Sequence, residues 1–162
     1  MGEADAPRAF AYHRALAPLM WAFACIVTLE LIVVHLLVSL LWSDVAAWIL
    51  SALSVAMLVW IALLIRSLKR LPVLVDDDGV TMRVGSLKSV RVPAASIARL
   101  RTSWPREELK GRGVLNLALI NYPNVMLELD PPLPGRRPVK AVAHRLDDPA
   151  AFIAAIQPVL EV

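Results

Sequence analysis

At 162 residues, 58% of them hydrophobic, the chain is too apolar for an ordinary soluble domain and too short for a transporter bundle. Its net charge of +3, from 17 Lys and Arg against 14 Asp and Glu, argues against a nucleic-acid partner, and no helix-turn-helix or aromatic stacking pattern accompanies it. The single cysteine, Cys25, excludes an internal disulfide, so nothing requires an oxidising compartment.

The first 12 residues are small, mixed and Ala-rich and read as a frayed end of an N-terminal cytoplasmic tail, residues 1–17. Two apolar runs follow, residues 19–42 and 45–65, separated only by Ser43 and Asp44. About 20 apolar residues suffice to cross the hydrocarbon core of a bilayer. A two-residue break sends the second run back antiparallel, so residues 18–70 are expected to form a transmembrane hairpin. The first run is longer than a signal-peptide core of about 7–15 residues, and the A-x-A-like match at residues 45–47 runs straight into the second span. Arg8 and Arg14 precede the hairpin and Arg66, Lys69 and Arg70 follow it, whereas the turn carries only Asp44. This asymmetry puts both termini in the cytoplasm. Tyr12, Trp21, Trp42 and Trp48 fall where aromatic rings favour the headgroup level, and the deeper Trp60 is expected to pack.

Beyond Leu71 the apolar period changes from helical to alternating. Strands are expected at residues 72–76, 80–84, 89–93, 97–102, 114–120, 125–129 and 139–146, with turns at 77–79, 85–88 and 121–124 and a Pro-rich loop at 131–135. Within residues 97–102, strict alternation puts Ile97, Arg99 and Arg101 on one face. Asp148 then offers an N-cap and Pro149 a first helical residue, while Phe152, Ile153, Ile156 and Leu160 make an apolar helix face. The expected order is seven antiparallel strands and a terminal helix.

That order resembles the bacterial pleckstrin-homology-like (PH-like) fold, an antiparallel barrel plugged by a C-terminal helix. The resemblance rests on the extended segment from Val73, Asp77-Asp78-Gly79-Val80, Arg83, the turn at Gly85, the strand from Val90 to Pro93, Ile97, and the closing Asp147-Asp148-Pro149 with Phe152. The whole chain is similar to bacterial two-span membrane proteins in which a helical hairpin precedes such a domain, here residues 71–162. The resemblance implies a bacterial inner-membrane scaffold or ligand-binding platform, and it supplies no catalytic residues.

Polar groups inside the spans mark contacts, because an ionisable side chain there is costly. Glu30 lies near the middle of the first run among Ile26, Val27, Val33, Val34 and Leu37, at the depth of Met57, with Ser54 and Trp60 the nearest polar groups. His35 lies about 140° further around the helix, at the depth of Ser51. One partner helix covers one face, so Glu30, His35, Ser51 and Ser54 together predict an oligomer or a membrane-protein partner. The four-residue spacing of Ala47, Ser51, Ala52 and Ala56 permits close helix approach. His13, His35 and His144 are too dispersed for a metal set, and Asp76-Asp77-Asp78-Gly79 lacks the alternating ligands of a calcium loop.

From Arg83 to Arg112 eight basic residues face only Glu107 and Glu108. With Arg66, Lys69 and Arg70 they suggest a basic surface against anionic headgroups, each side chain contributing about 1 kcal/mol near such a leaflet. Arg99, Arg101 and Arg106 are the expected headgroup or partner contacts, and the loop with Arg136, Arg137 and Lys140 could join them. Gly111 and Gly113 lack the residues of a phosphate cradle. The expectation is a non-catalytic membrane-anchored scaffold or accessory protein, with no cofactor, contacting lipid headgroups or a protein. The alternative is an intramembrane enzyme or proton-handling subunit with Glu30 as its acid/base group.

Overall fold

The computed structural model describes residues 7–14 and 16–160. Two long antiparallel helices, α1 (Ala17–Leu41) and α2 (Asp44–Arg70), form the expected pair. Both are long and apolar enough to cross a membrane, with a mean hydropathy of 2.5 over their most apolar stretches. Pro18 sits in the first turn of α1, where its missing N–H breaks no helical bond. Ser43, extended at φ −161°, ends the tight connection, and Ser39 hydrogen-bonds Asp44 across it.

The N-terminal segment departs from expectation. Residues 1–6 lie outside the described residues, but Arg8–Phe10 form strand β1, antiparallel to β2 (Val73–Asp76), with Arg8 opposite Val75 and Phe10 opposite Val73. An uncovered β2 would leave an open row of backbone donors and acceptors. Phe10 also packs edge-on against Phe152, ring centroids 5.4 Å apart. The helix pair is therefore inserted between two hydrogen-bonded strands, and the β module includes residues from before the hairpin.

Strands β3 (Gly79–Val84) and β4 (Lys88–Pro93) complete a first sheet in the order β1-β2-β3-β4. The second sheet holds β5 (Ile97–Arg101), β6 (Val114–Asn116), β7 (Val125–Leu133) and β8 (Val139–His144) in the order β5-β7-β8-β6. All seven strands expected after Leu71 form, as β2 to β8, and β1 makes an eighth among the described residues. Against the all-antiparallel expectation, β6 runs parallel to β8, Val114 opposite Ala141. The turn at 121–124 joins no neighbouring strands. Instead Asn124 grips the end of β8: its side-chain amide donates to the Leu146 carbonyl, and its carbonyl oxygen accepts from Leu146 N–H. Strand β7 also continues through Pro131 and Pro132, expected as loop, with a register shift before Leu133. A second shift separates Ile97 from Arg99, so Ile97 enters the core while Arg99 faces Glu128 outside it.

The core fills the space between the sheets. Val73, Val80, Met82 and Val92 come from the first sheet, Val125, Leu127 and Val142 from the second, and Phe152 and Ile156 from α3 (Pro149–Leu160). Asp148 caps α3, its carboxylate accepting from Ala151 N–H at 3.0 Å. Leu16, Leu64 and Leu68, at the outer ends of the helix pair, belong to the same core. Burying such a side chain stabilises by about 1.5–3 kcal/mol. The helices are thus plugged into the module.

Candidate interaction site

Three groups of residues bear on function. The first lies between the helices. His35 Nδ1 and Ser51 Oγ are 2.7 Å apart, and the imidazole meets Trp48 edge-on at 5.2 Å. The predicted depth match between His35 and Ser51 therefore corresponds to a real contact. Ala47, wholly buried, lets the backbones approach, but Ala52 and Ala56 are exposed, so only part of the small-residue spacing faces α1. Ser54 is half-buried and makes no hydrogen bond among the described residues. Glu30 is exposed on the outside of the pair and meets no polar partner among the described residues. Trp60 is 52% exposed, so the packing expected of it is not made within the chain.

The second group is the base of the pair. Tyr12, expected at the headgroup level, is 2% exposed within the module. Its hydroxyl donates to the Leu71 carbonyl at 2.9 Å and accepts from Gly85 N–H at 2.6 Å. Burial pushes the phenol up from its ordinary range. Gly85 is at φ +49°, and a Cβ there would strike Ser67 Oγ, which accepts a hydrogen bond from Ser86 N–H. His144 lies beside Tyr12, ring centroids 5.0 Å apart. Its Nδ1 accepts from Arg145 N–H at 2.7 Å, so Nε2 carries the proton and donates to the Arg83 carbonyl at 2.8 Å. Burial holds this imidazole below its ordinary value, against the opposing pull of those bonds. The adjoining cavity, lined by Tyr12, Leu16, Leu117 and His144, measures about 10 Å³, room for roughly one water. Arg66, Lys69 and Arg70 are exposed around this base and make no ion pair among the described residues.

The third group is the basic stretch, and much of its charge is already matched. Arg99 donates twice to Glu128, at 3.0 and 2.7 Å. Arg101 bridges Glu128 and Glu108, each at 2.6 Å. Arg91 forks onto both oxygens of Asp76 at 2.9 Å. These bonds hold Glu128 and Asp76 below the usual carboxylate range, with burial opposing. Arg106 lies over the Tyr122 ring at 5.8 Å, and Tyr122 stacks on Trp104. Of the three arginines expected to contact a ligand, Arg106 alone makes no ion pair among the described residues. Glu128 is not recognisable as a partner from the sequence because it lies 29 positions from Arg99, and only the β5–β7 register sets the two opposite each other. The loop carrying Arg136 and Arg137 joins the far ends of β7 and β8, while their near ends, Val125 and His144, lie toward Tyr12. Several residues of strand, at about 3.3 Å each, separate it from the helix base. That exceeds a screening length of about 8–10 Å, so this loop does not extend the basic surface there.

Among the described residues, no three His, Cys, Asp or Glu side chains gather as metal ligands. A groove of about 120 Å³ is lined by Arg8, Asp76 and Asp77 together with Ala155, Pro158 and Val159. No family model, no curated protein and no solved structure matches the chain.

Proposed function

We propose that this chain is a two-span anchor carrying a PH-like β module at the cytoplasmic face of a bacterial inner membrane, where it acts as a non-catalytic scaffold or assembly factor. The observation that carries the reading is the insertion of the helix pair between β1 and β2. Two paired strands and the plugged side chains Leu16, Leu64 and Leu68 fix the module to its anchor. A module held this way presents a constant face to whatever shares its membrane, and confinement to two dimensions raises effective concentration. Two four-stranded sheets around one core, closed by α3, support the PH-like reading.

Within this reading Arg66, Lys69 and Arg70 meet anionic headgroups, and Arg106 beside Tyr122 is the remaining basic contact. Arg99 and Arg101 shape the surface through Glu128 and Glu108. Glu30, facing outward in mid-span, contacts a second copy or a membrane-protein partner, since lipid offers a carboxyl no donor. His35 bonds Ser51 on another face, so the arrangement does not favour Glu30 as half of an acid–base pair.

Native mass spectrometry of gently extracted protein tests this. An oligomer or heteromeric complex with retained anionic lipid is expected. Glu30→Leu should dissociate the complex, and Arg66→Glu with Lys69→Glu and Arg70→Glu should strip the lipid. A lipid-free monomer, unchanged by either set, would remove the scaffold reading.

A further inference from the structure

Outside the helix pair, the large apolar side chains that stand exposed among the described residues are Leu87, Leu119, Ile120 and Tyr122, at 50, 47, 54 and 42%. They occupy two loops, and both loops flank the base of the pair. Leu87 is in the β3–β4 turn, whose Ser86 N–H donates to Ser67 Oγ on the last turns of α2. Leu119 lines the small cavity that Leu16, the residue just before α1, also lines, and Ile120 follows it in the chain. Each loop thus sits against the end of one helix. The opposite pole, with the Asp77-Asp78 turn and the loop at 134–138, exposes no large apolar side chain among the described residues.

We infer that the tips Leu87 and Leu119-Ile120 insert into the bilayer interface beside the hairpin, so that the module is partly sunk in the membrane. This rests on the hairpin being in the bilayer. Given that, the depth follows. Leu63, 61% exposed, still belongs to the apolar surface of α2, whereas Leu64 and Leu68 are covered by the module. Ser67, which the Leu87 turn touches, is four residues past Leu63, about 6 Å along the axis. An exposed leucine at that level is within reach of the acyl boundary. The charges agree with this placement: exposed Lys88 follows Leu87 in the chain, exposed Arg66 and Lys69 lie within two positions of Ser67, which this turn touches, and Arg145 donates to the Tyr122 carbonyl in the other loop. Exposed apolar loop residues in segments that also carry cations are the composition that binds an anionic lipid interface. Exposure of both tips next to the spans, and at neither distant loop, selects lipid over a soluble protein as the occupant.

The test uses full-length protein carrying Cys25→Ser and one new cysteine, Leu87→Cys, Ile120→Cys or Asp78→Cys, labelled with an environment-sensitive fluorophore. Each is reconstituted in phosphatidylcholine–phosphatidylglycerol vesicles with a quencher attached high on the acyl chain. Labels at 87 and 120 should emit at shorter wavelength and be quenched at least fivefold more than the label at 78. The parent protein labelled at Cys25 reports the hairpin separately. Quenching at Cys25 with 87 and 120 no different from 78 overturns the inference and leaves the anchor reading intact. No quenching at Cys25 overturns both.

Discussion

His144 and Tyr12 show how single residues tie the module to the helix base. His144 ordinarily titrates near 6.5, and burial lowers that value in the fold. Below 6.5 the unfolded chain takes up a proton that the folded chain resists, so stability is complete above 6.5 and falls as pH drops beneath it. Thermal melting in detergent should show this loss between pH 7 and 5.5, and His144→Gln, which keeps an amide to donate to Arg83, should flatten it. Asp76 and Glu128, held low by Arg91 and Arg101, act in the same direction, with their loss confined below about 4.5. Tyr12→Phe removes the acceptor of Gly85 N–H and the donor to Leu71, and should cost about 1–3 kcal/mol for each buried group left unpaired, read as a lower denaturation midpoint. An aromatic near a predicted span reads equally well as an interface anchor, so only the fold distinguishes the two roles of Tyr12.

At the level of elements, the apolar period was a sound guide to what forms and a poor one to what pairs with what. The two runs of about 20 apolar residues became α1 and α2, and Asp148-Pro149 marks the start of α3, because length and capping are local properties. Pairing is not local. Alternation in β6 says which side chains turn inward, yet leaves the strand free to run parallel to β8. The three residues of β1 carry too short a pattern to be recognised as a strand, and they gain their place from the open edge of β2 and the contact of Phe10 with Phe152. Deleting residues 1–10 therefore should lower the melting temperature and speed proteolysis of the β module, measured beside the intact chain. A dispensable tail would leave both unchanged. The basic stretch carries the same lesson: Arg99 and Arg101 look free along the chain, and β5–β7 register supplies Glu128.

For the whole molecule, hydropathy made a pair of long apolar helices and a β-rich segment legible, and their mode of joining emerged from the fold. Because β1 and β2 are neighbours, α1 must leave and α2 must return on one side of any membrane they cross. The connection at Ser43 then lies on the other. The proposed cytoplasmic placement of the module rests on the charge asymmetry of Arg66, Lys69 and Arg70 against Asp44. The most direct measurement is two-sided labelling of single cysteines in cells and inverted membrane vesicles, with Ser43→Cys and Asp78→Cys each placed in the Cys25→Ser background. An impermeant maleimide should reach position 43 only from the outer face and position 78 only from the cytoplasmic face. Reaction of both positions from the same side would contradict the two-span anchor.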